Sequence, residues 1–443
     1  MKRIVLAVFA ALIVLSVTVA IWARYPKLSH PKLITDTVVE ANERFKARQD
    51  GASDPERNAY LEPHFLPYWG VRSQQKDDEP AEQAVEGWTG VAYDVEGHQV
   101  DHEALLKTPK TSEYHKGRDG FRALYPVLSE ALAKEKFVVP ADKISLVNEA
   151  AQFSHLRTVA QAQVALASSL AAEGKKDEAQ SVVLDVLRLG WLQQGDTMIG
   201  ELIGMSVQTL ALDPFQEIWS PKSDTSRDDW LKFSSAFREY APPADAFVNV
   251  LEVELTAMDQ VFDDMLAGRQ VNGAGLTTGA GTNIPFILKR ERRILLNQVS
   301  QTLRDAQAGN FPGGATKPLA FSWSGWIKGD TGIIASVASP NYDKPAAMMT
   351  LHRAKMNGFA VACSLLAFKS ENGSLPENLA ELSNYGIEFN NEMPIDRFSL
   401  DREKSLLTYH LPQIIVTVTK AEQQKLPEGA WMQVKSDGLV FQL

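Results

Sequence analysis

The stretch Phe153-Ser-His-Leu-Arg-Thr-Val-Ala-Gln-Ala-Gln-Val-Ala-Leu-Ala-Ser-Ser-Leu-Ala-Ala-Glu-Gly174 decides the fold class. Within it Phe153, Leu156, Ala160, Val164, Ala167 and Leu170 recur at three- and four-residue spacing, which lines one face of an α-helix. Gly174, with Lys175 and Lys176 behind it, supplies the stop. A second stripe follows at once in Ala179, Val182, Val183, Val186 and Leu187. Gly195-Asp196 marks the next turn, with Asp196 placed to cap a third helix whose face is Ile199, Leu202, Ile203, Ser206 and Leu210. Pro214 and Pro221 break the pattern after that. Consecutive stripes joined by short turns predict a body of packed helical hairpins.

Downstream, helices are expected at about 225–240 and 243–268, then from about Pro285 to Ala308. Between them Val271–Asn283 is glycine-rich. It follows a helix rather than a strand and lacks the lysine of a phosphate-binding loop, so it reads as a linker. Residues 310–344, with Pro312, Gly313, Gly314, Trp323, Trp326 and Pro340, read as a loop-rich connection. Upstream, Ile34–Gln49 reads as a helix with Ile34, Val38, Ala41 and Phe45 on one face. Residues 50–103 carry Pro55, Pro63, Pro67 and Pro80 among many aromatics and read as irregular packing, with 75–83 an exposed loop. The segment Leu166–Gly174 with Asp177–Ala179 resembles the inter-helix turn of a tetratricopeptide repeat. No second copy follows at the repeat's spacing of about 34 residues, so a plain helical hairpin is expected there.

At the N-terminus Lys2 and Arg3 precede an uncharged run from Ile4 to Ala23, with Trp22 and Tyr25 at its far end. Its 20 residues would span about 30 Å as a helix, the thickness of a bilayer core. Aromatic residues at the end of such a run favour the membrane interface. A cleaved signal peptide, with Thr18-Val19-Ala20 as its site, is the alternative, but its apolar part is normally only ~7–15 residues long. The expectation is therefore a single-pass anchor in the cytoplasmic (inner) membrane, residues 4–23 in the bilayer and the body extracytoplasmic. Export after signal cleavage is the alternative.

The 443 residues carry 45 Lys+Arg against 55 Asp+Glu, a formal charge of −10. An acidic surface repels a phosphate backbone, so nucleic acid is not an expected partner. The nearest basic run, Lys289, Arg290, Arg292 and Arg293, reads as a solvated helix face. So do Asp259, Asp263 and Asp264. The single cysteine, Cys363, lies in an apolar run and reads as a small buried hydrophobe. His98 and His102 stand four apart beside Glu103, a spacing that suits zinc on a helix. The flanking residues give little helical pattern, so they read as loop histidines. No Gly-x-Ser-x-Gly elbow occurs. These patterns nominate no catalytic, cofactor-binding or metal-binding residue and no cofactor.

The last hundred residues have a different grammar. A helix from about Ala346 to Lys369 runs into Glu371-Asn372-Gly373, and Pro376 is placed to open a short helix through Leu379 and Leu382. Met393-Pro394-Ile395-Asp396-Arg397-Phe398 then leads to Leu406–Leu411, Ile414–Thr419 reads as a strand, and Trp431–Val434 with Leu439–Leu443 reads as a closing hairpin. Asn372, Gly373, Pro376, Leu379, Leu382, Pro394, Asp396 and Phe398 fall in an order that resembles the periplasmic part of type II secretion pseudopilins. Gly438-Leu439-Val440-Phe441 is similar to the closing strand of a broad group of bacterial membrane-anchored helical proteins. The resemblance covers about a quarter of the chain and implies a helix followed by a small sheet. A pseudopilin carries its hydrophobic helix directly before this module, with a glutamate inside it; here the run at 4–23 lies far upstream and has none.

The expected organisation is mostly α: a membrane anchor (1–25), a helix plus an irregular aromatic and proline-rich segment (26–140), a helical body (141–310), a loop-rich connection (311–344) and an α+β module (345–443). The leading functional expectation is a non-catalytic envelope protein that binds other envelope proteins or acts as a scaffold. The alternatives are a hydrolase with scattered active-site residues and a lipid- or small-ligand-binding protein.

Overall fold

In the computed structural model the chain is mostly helical, with one small antiparallel sheet. The structure describes residue 16 and residues 31–54, 56–58, 79–134, 149–194, 197–267, 285–308, 342–391, 393–411, 431–435 and 438–443. The expected anchor at 4–23 apart from residue 16, the glycine-rich linker, residues 311–341 of the loop-rich connection and the strand at 414–419 lie outside them. No helix among the described residues is long and apolar enough to cross a membrane. The described residues of Met1–Gln49 and Phe247–Ala346 form one compact unit, and those of Asp50–Ile144, Asn148–Ala246 and Ala347–Leu443 form a second.

The first unit is built on α1 (Pro31–Arg48), α9 (Ala246–Leu266) and α10 (Pro285–Gln307). Thr37 and Ala41 of α1 are buried, as are Leu288, Ile294, Leu295, Val299 and Leu303 of α10. Charge also holds this unit together. Arg44 of α1 meets the buried Glu252 of α9 at 2.8 Å. Arg304 of α10 donates to Thr37 at 2.9 Å. Arg292 reaches Asp259 and Asp263 of α9, both at 2.7 Å. The basic run and the acidic run were expected to be solvated faces. Instead Arg292 ties one to the other, and Arg290 and Glu291 are wholly buried. A guanidinium that meets carboxylates from a neighbouring helix is drawn inward, which a one-dimensional charge pattern does not show.

The second unit begins with α2 (Glu79–Ala92), α3 (His102–Leu106) and α4 (Glu113–Leu132), followed by α5 (Glu149–Ala172), α6 (Lys176–Leu192), α7 (Met198–Ile218) and α8 (Arg227–Glu239). Helices α5, α6 and α7 pack on one another, α2 packs on both α4 and α5, and α3 packs on α5. Gly174 ends the first hairpin helix with φ +78°, a left-handed conformation that glycine adopts without strain. Thr197, rather than Asp196, caps α7 by accepting from Gly200 N at 3.0 Å; Asp196 lies outside the described residues.

Three expectations fail here. The loop expected at 75–83 gives way to α2 from Glu79, because Ala81, Val85, Trp88 and Ala92 line a buried face. Helix α4 forms within the 26–140 segment, where the helix expected was at 34–49; Tyr114, Phe121 and Leu128 stand seven apart and are all buried. Pro214 does not end α7 but sits buried within it, between the buried Leu212 and Phe215. A proline removes one helical hydrogen bond, and the apolar packing on either side of Pro214 outweighs that loss.

The long α11 (Asp343–Asn372) carries the C-terminal part. Gly373 follows it at φ +75°. A short 3-10 helix, Leu379–Tyr385, starts at Asn378, whose side chain forms a reciprocal capping box with Glu381. It begins three residues after Pro376, the proline expected to open it. Strands β1 (Phe398–Asp401), β2 (Leu406–His410), β3 (Met432–Val434) and β4 (Gly438–Gln442) form one sheet in the order β1-β2-β4-β3, every pair antiparallel. Leu407 pairs with Phe441, and Phe441 with Met432.

The sheet joins α11 through Phe441. A Cβ at Gly358 would overlap the Phe441 ring, so the strand needs that glycine for its approach. Phe359 meets Phe441 edge-on at 5.1 Å, and Trp431 packs on Phe215 and Phe359 at 5.5 and 5.3 Å. Phe233 and Phe237 extend the cluster, each 4.8 Å from Phe215. Edge-on rings at these spacings are the favoured aromatic geometry. At the edge of the sheet, Met432 N donates to the buried Gln216 of α7 at 3.3 Å.

Candidate functional site

Two places in the second unit gather polar groups: a buried seam and a surface cleft. The seam lies where α6 crosses α7. Gly190 and Gly204 meet there; a Cβ on Gly190 would sit 2.5 Å from Gly204 O, and one on Gly204 would clash with Gly190 O. The close crossing brings the buried Gln208 to the backbone of its neighbours. Its amide nitrogen donates to Leu187 O at 3.1 Å and to Tyr240 O at 2.8 Å. Carbonyls only accept, so the amide orientation is fixed. Its oxygen therefore accepts from Gln194 at 2.9 Å and from His352 Nε2 at 2.7 Å. His352 must carry its proton on Nε2. Burial, with the Lys355 charge beside it, lowers its pKa to about 3.

The histidines singled out in the sequence are not brought together as ligands. His102 opens α3 rather than lying in a loop, and is buried. It lies 2.8 Å from the Tyr114 hydroxyl, which donates to Ser169 at 3.1 Å. Burial lowers its pKa to about 4. His98 is exposed and stands with Asp94 and Glu96, one ligand atom of each within 4.8 Å of the others. Asp94 is already engaged as a turn residue, accepting from the backbone N–H of Glu96 and of His98 at 2.9 Å each. Cys363 is fully buried, and burial pushes its thiol pKa well up, as expected of a packing residue.

The cleft, about 310 Å³, is lined by Lys176, Asp177, Gln180, Trp219, Asp224, Thr225, Ser226 and Asp229. It lies where α6 and α8 begin and α7 ends. The intervening loop is tightly held: Ser223 donates to Ser220 O at 2.6 Å and lies 2.7 Å from the Thr225 hydroxyl. Ser226 caps α8, accepting from Asp229 N at 3.1 Å and donating to the Asp229 carboxylate at 2.7 Å. Asp229 also pairs with Lys232 at 3.2 Å. Gln180 donates to Asp229 O at 3.3 Å and accepts from Lys232 at 3.4 Å. These contacts occupy Asp229 and Gln180. Among the described residues the side chains of Lys176, Asp177 and Asp224 have no partner.

Asp177 and Asp229 stand in the first turns of their helices, where a carboxylate complements the helix dipole. Asp224 lies outside both helices and is not explained in that way. The lining thus presents two unengaged carboxylates and one unengaged ammonium beside hydroxyl groups. A volume near 310 Å³ is at the small end of ligand sites and suits one side chain better than a lipid. This cleft is not legible in the sequence, because its residues fall into two groups about 40 positions apart, 176–180 and 219–229, and only the packing of α6 on α8 unites them.

No family model matches this chain, and no curated protein or solved structure shows significant similarity to it.

Proposed function

We propose that the protein is a membrane-anchored envelope protein without catalytic activity, held by residues 4–23, whose helical body binds a cationic segment of another envelope protein. The observation that supports this reading is the cleft at the starts of α6 and α8. It offers the unengaged carboxylates of Asp177 and Asp224 in a space suited to a single lysine or arginine side chain. Such a group gains charge-assisted hydrogen bonds there. The chain's net charge of −10 favours the approach of a basic partner. The order of residues from Asn372 to Phe398 resembles a pseudopilin module, which agrees with an envelope setting.

The test is site-specific photo-crosslinking in cells from position 225, in the full-length protein. A protein adduct that forms in wild type and disappears in the Asp177→Lys, Asp224→Lys double variant is the expected result. An unchanged adduct in that variant, or no protein adduct in wild type, overturns the reading.

A further inference from the structure

We propose that the seam joining α6, α7, α8 and α11 is a proton-sensitive latch: it holds while the His352 ring is neutral and releases when the ring takes a second proton. The argument rests on connectivity. Gln208 of α7 reaches Leu187 O in α6, Tyr240 O at the end of α8 and His352 in α11. One amide and one imidazole thus join four helices. Because the two carbonyls fix the amide, Nε2 of His352 already holds a proton and donates it to Gln208 Oε1. An acid proton must go to Nδ1 and turns the ring into a buried cation.

The surroundings do not accept that cation. The charged group acting on the ring is Lys355, on the same helix and itself buried, and its charge has the same sign. From α7 the ring meets a neutral amide; Gln194, just beyond the end of α6, and the Tyr240 carbonyl of α8 reach that amide and are neutral as well. Asp213 of α7 lies close enough to Lys355 to feel its charge. A buried charge without a counter-ion is strongly disfavoured relative to the neutral ring.

The direction with pH follows from linkage. The folded-state pKa of His352 lies below the ordinary value of 6.5, so the unfolded or opened chain takes the proton first as pH falls. The stabilisation is complete above about pH 6.5 and is lost progressively toward the folded-state value of about 3. Between about pH 7 and about pH 5 this one group lowers the folding equilibrium constant about 25-fold. His102, hydrogen-bonded to Tyr114 of α4 and lowered to about 4, adds a comparable factor in the same window.

The experiment is urea unfolding of the full chain at about pH 7 and about pH 5, in wild type and in His352→Gln. Glutamine keeps a donor toward Gln208 and does not titrate. The expected result is an acid-induced loss about 25-fold smaller in the variant than in wild type. An equal loss in both overturns the proposal. If His352→Gln does not fold, nitrogen-detected NMR of histidine-labelled wild type decides. A ring that stays in the Nε2–H neutral form down to about pH 5 supports the latch, and a ring that titrates near pH 6.5 in the folded protein refutes it.

Discussion

The second unit contains two joints made in opposite ways. At the Phe441 joint the sheet meets α11 through aromatic rings: Phe441 over Gly358, with Phe359 and Trp431 around it. At the Gln208 seam, helices meet over two glycines and a hydrogen-bonded amide. Both are buried, and both depend on glycine for close approach. They differ in what they respond to. Dispersion and apolar burial take no notice of a proton, whereas a seam of donors and acceptors is correct in only one protonation state. One unit therefore has a joint that is insensitive to pH and a joint that is not.

The largest expected effect is at the ring joint. Phe441→Ala should cost about 4 kcal/mol, in the range for truncating a buried phenylalanine, and its loss of stability should be the same at neutral and mildly acidic pH. A pH-dependent loss there would break the contrast. Gly204→Ala comes next, at about 3 kcal/mol, because the added methyl meets the Gly190 backbone rather than the tip of a side chain. Thermal unfolding should show it, and a neutral result would mean that the α6–α7 crossing is looser than described. Gln208→Leu should cost about 2 kcal/mol, leaving His352 and Gln194 without their acceptor. It should also change the acid response, which Phe441→Ala should not. The smallest effect is expected at the surface, where Arg227 pairs with Glu371 and lies over the Tyr385 ring. Arg227→Ala should leave the unfolding midpoint unchanged within error, since exposed pairs contribute little.

What was legible in the sequence was whatever local chemistry controls. Gly174 and Gly373 stop their helices as expected, and the closing hairpin expected at 431–434 and 439–443 forms as Met432–Val434 and Gly438–Gln442. What was not legible is whatever depends on a distant partner. Arg290 reads as solvated because a run of charges does not show what packs over it, yet it is wholly buried. Helix α4 was not foreseen, although Tyr114, Phe121 and Leu128 keep a helical period. The role of His352 could not be read at all, since it is set by an amide 144 positions away.

The order in which the second unit is assembled along the chain bears on synthesis. Its core is drawn from three separate stretches, and the last supplies Phe441, which fills the space over Gly358, and Leu443, whose N–H closes on Ser405 O at 2.9 Å. A chain growing from its N-terminus cannot complete that core until these residues have emerged. Until then the aromatic faces of α7 and α8 remain exposed to solvent. Contacts that span such long loops form slowly. The waiting period, rather than the finished structure, is when the apolar surface of this unit is most open to aggregation.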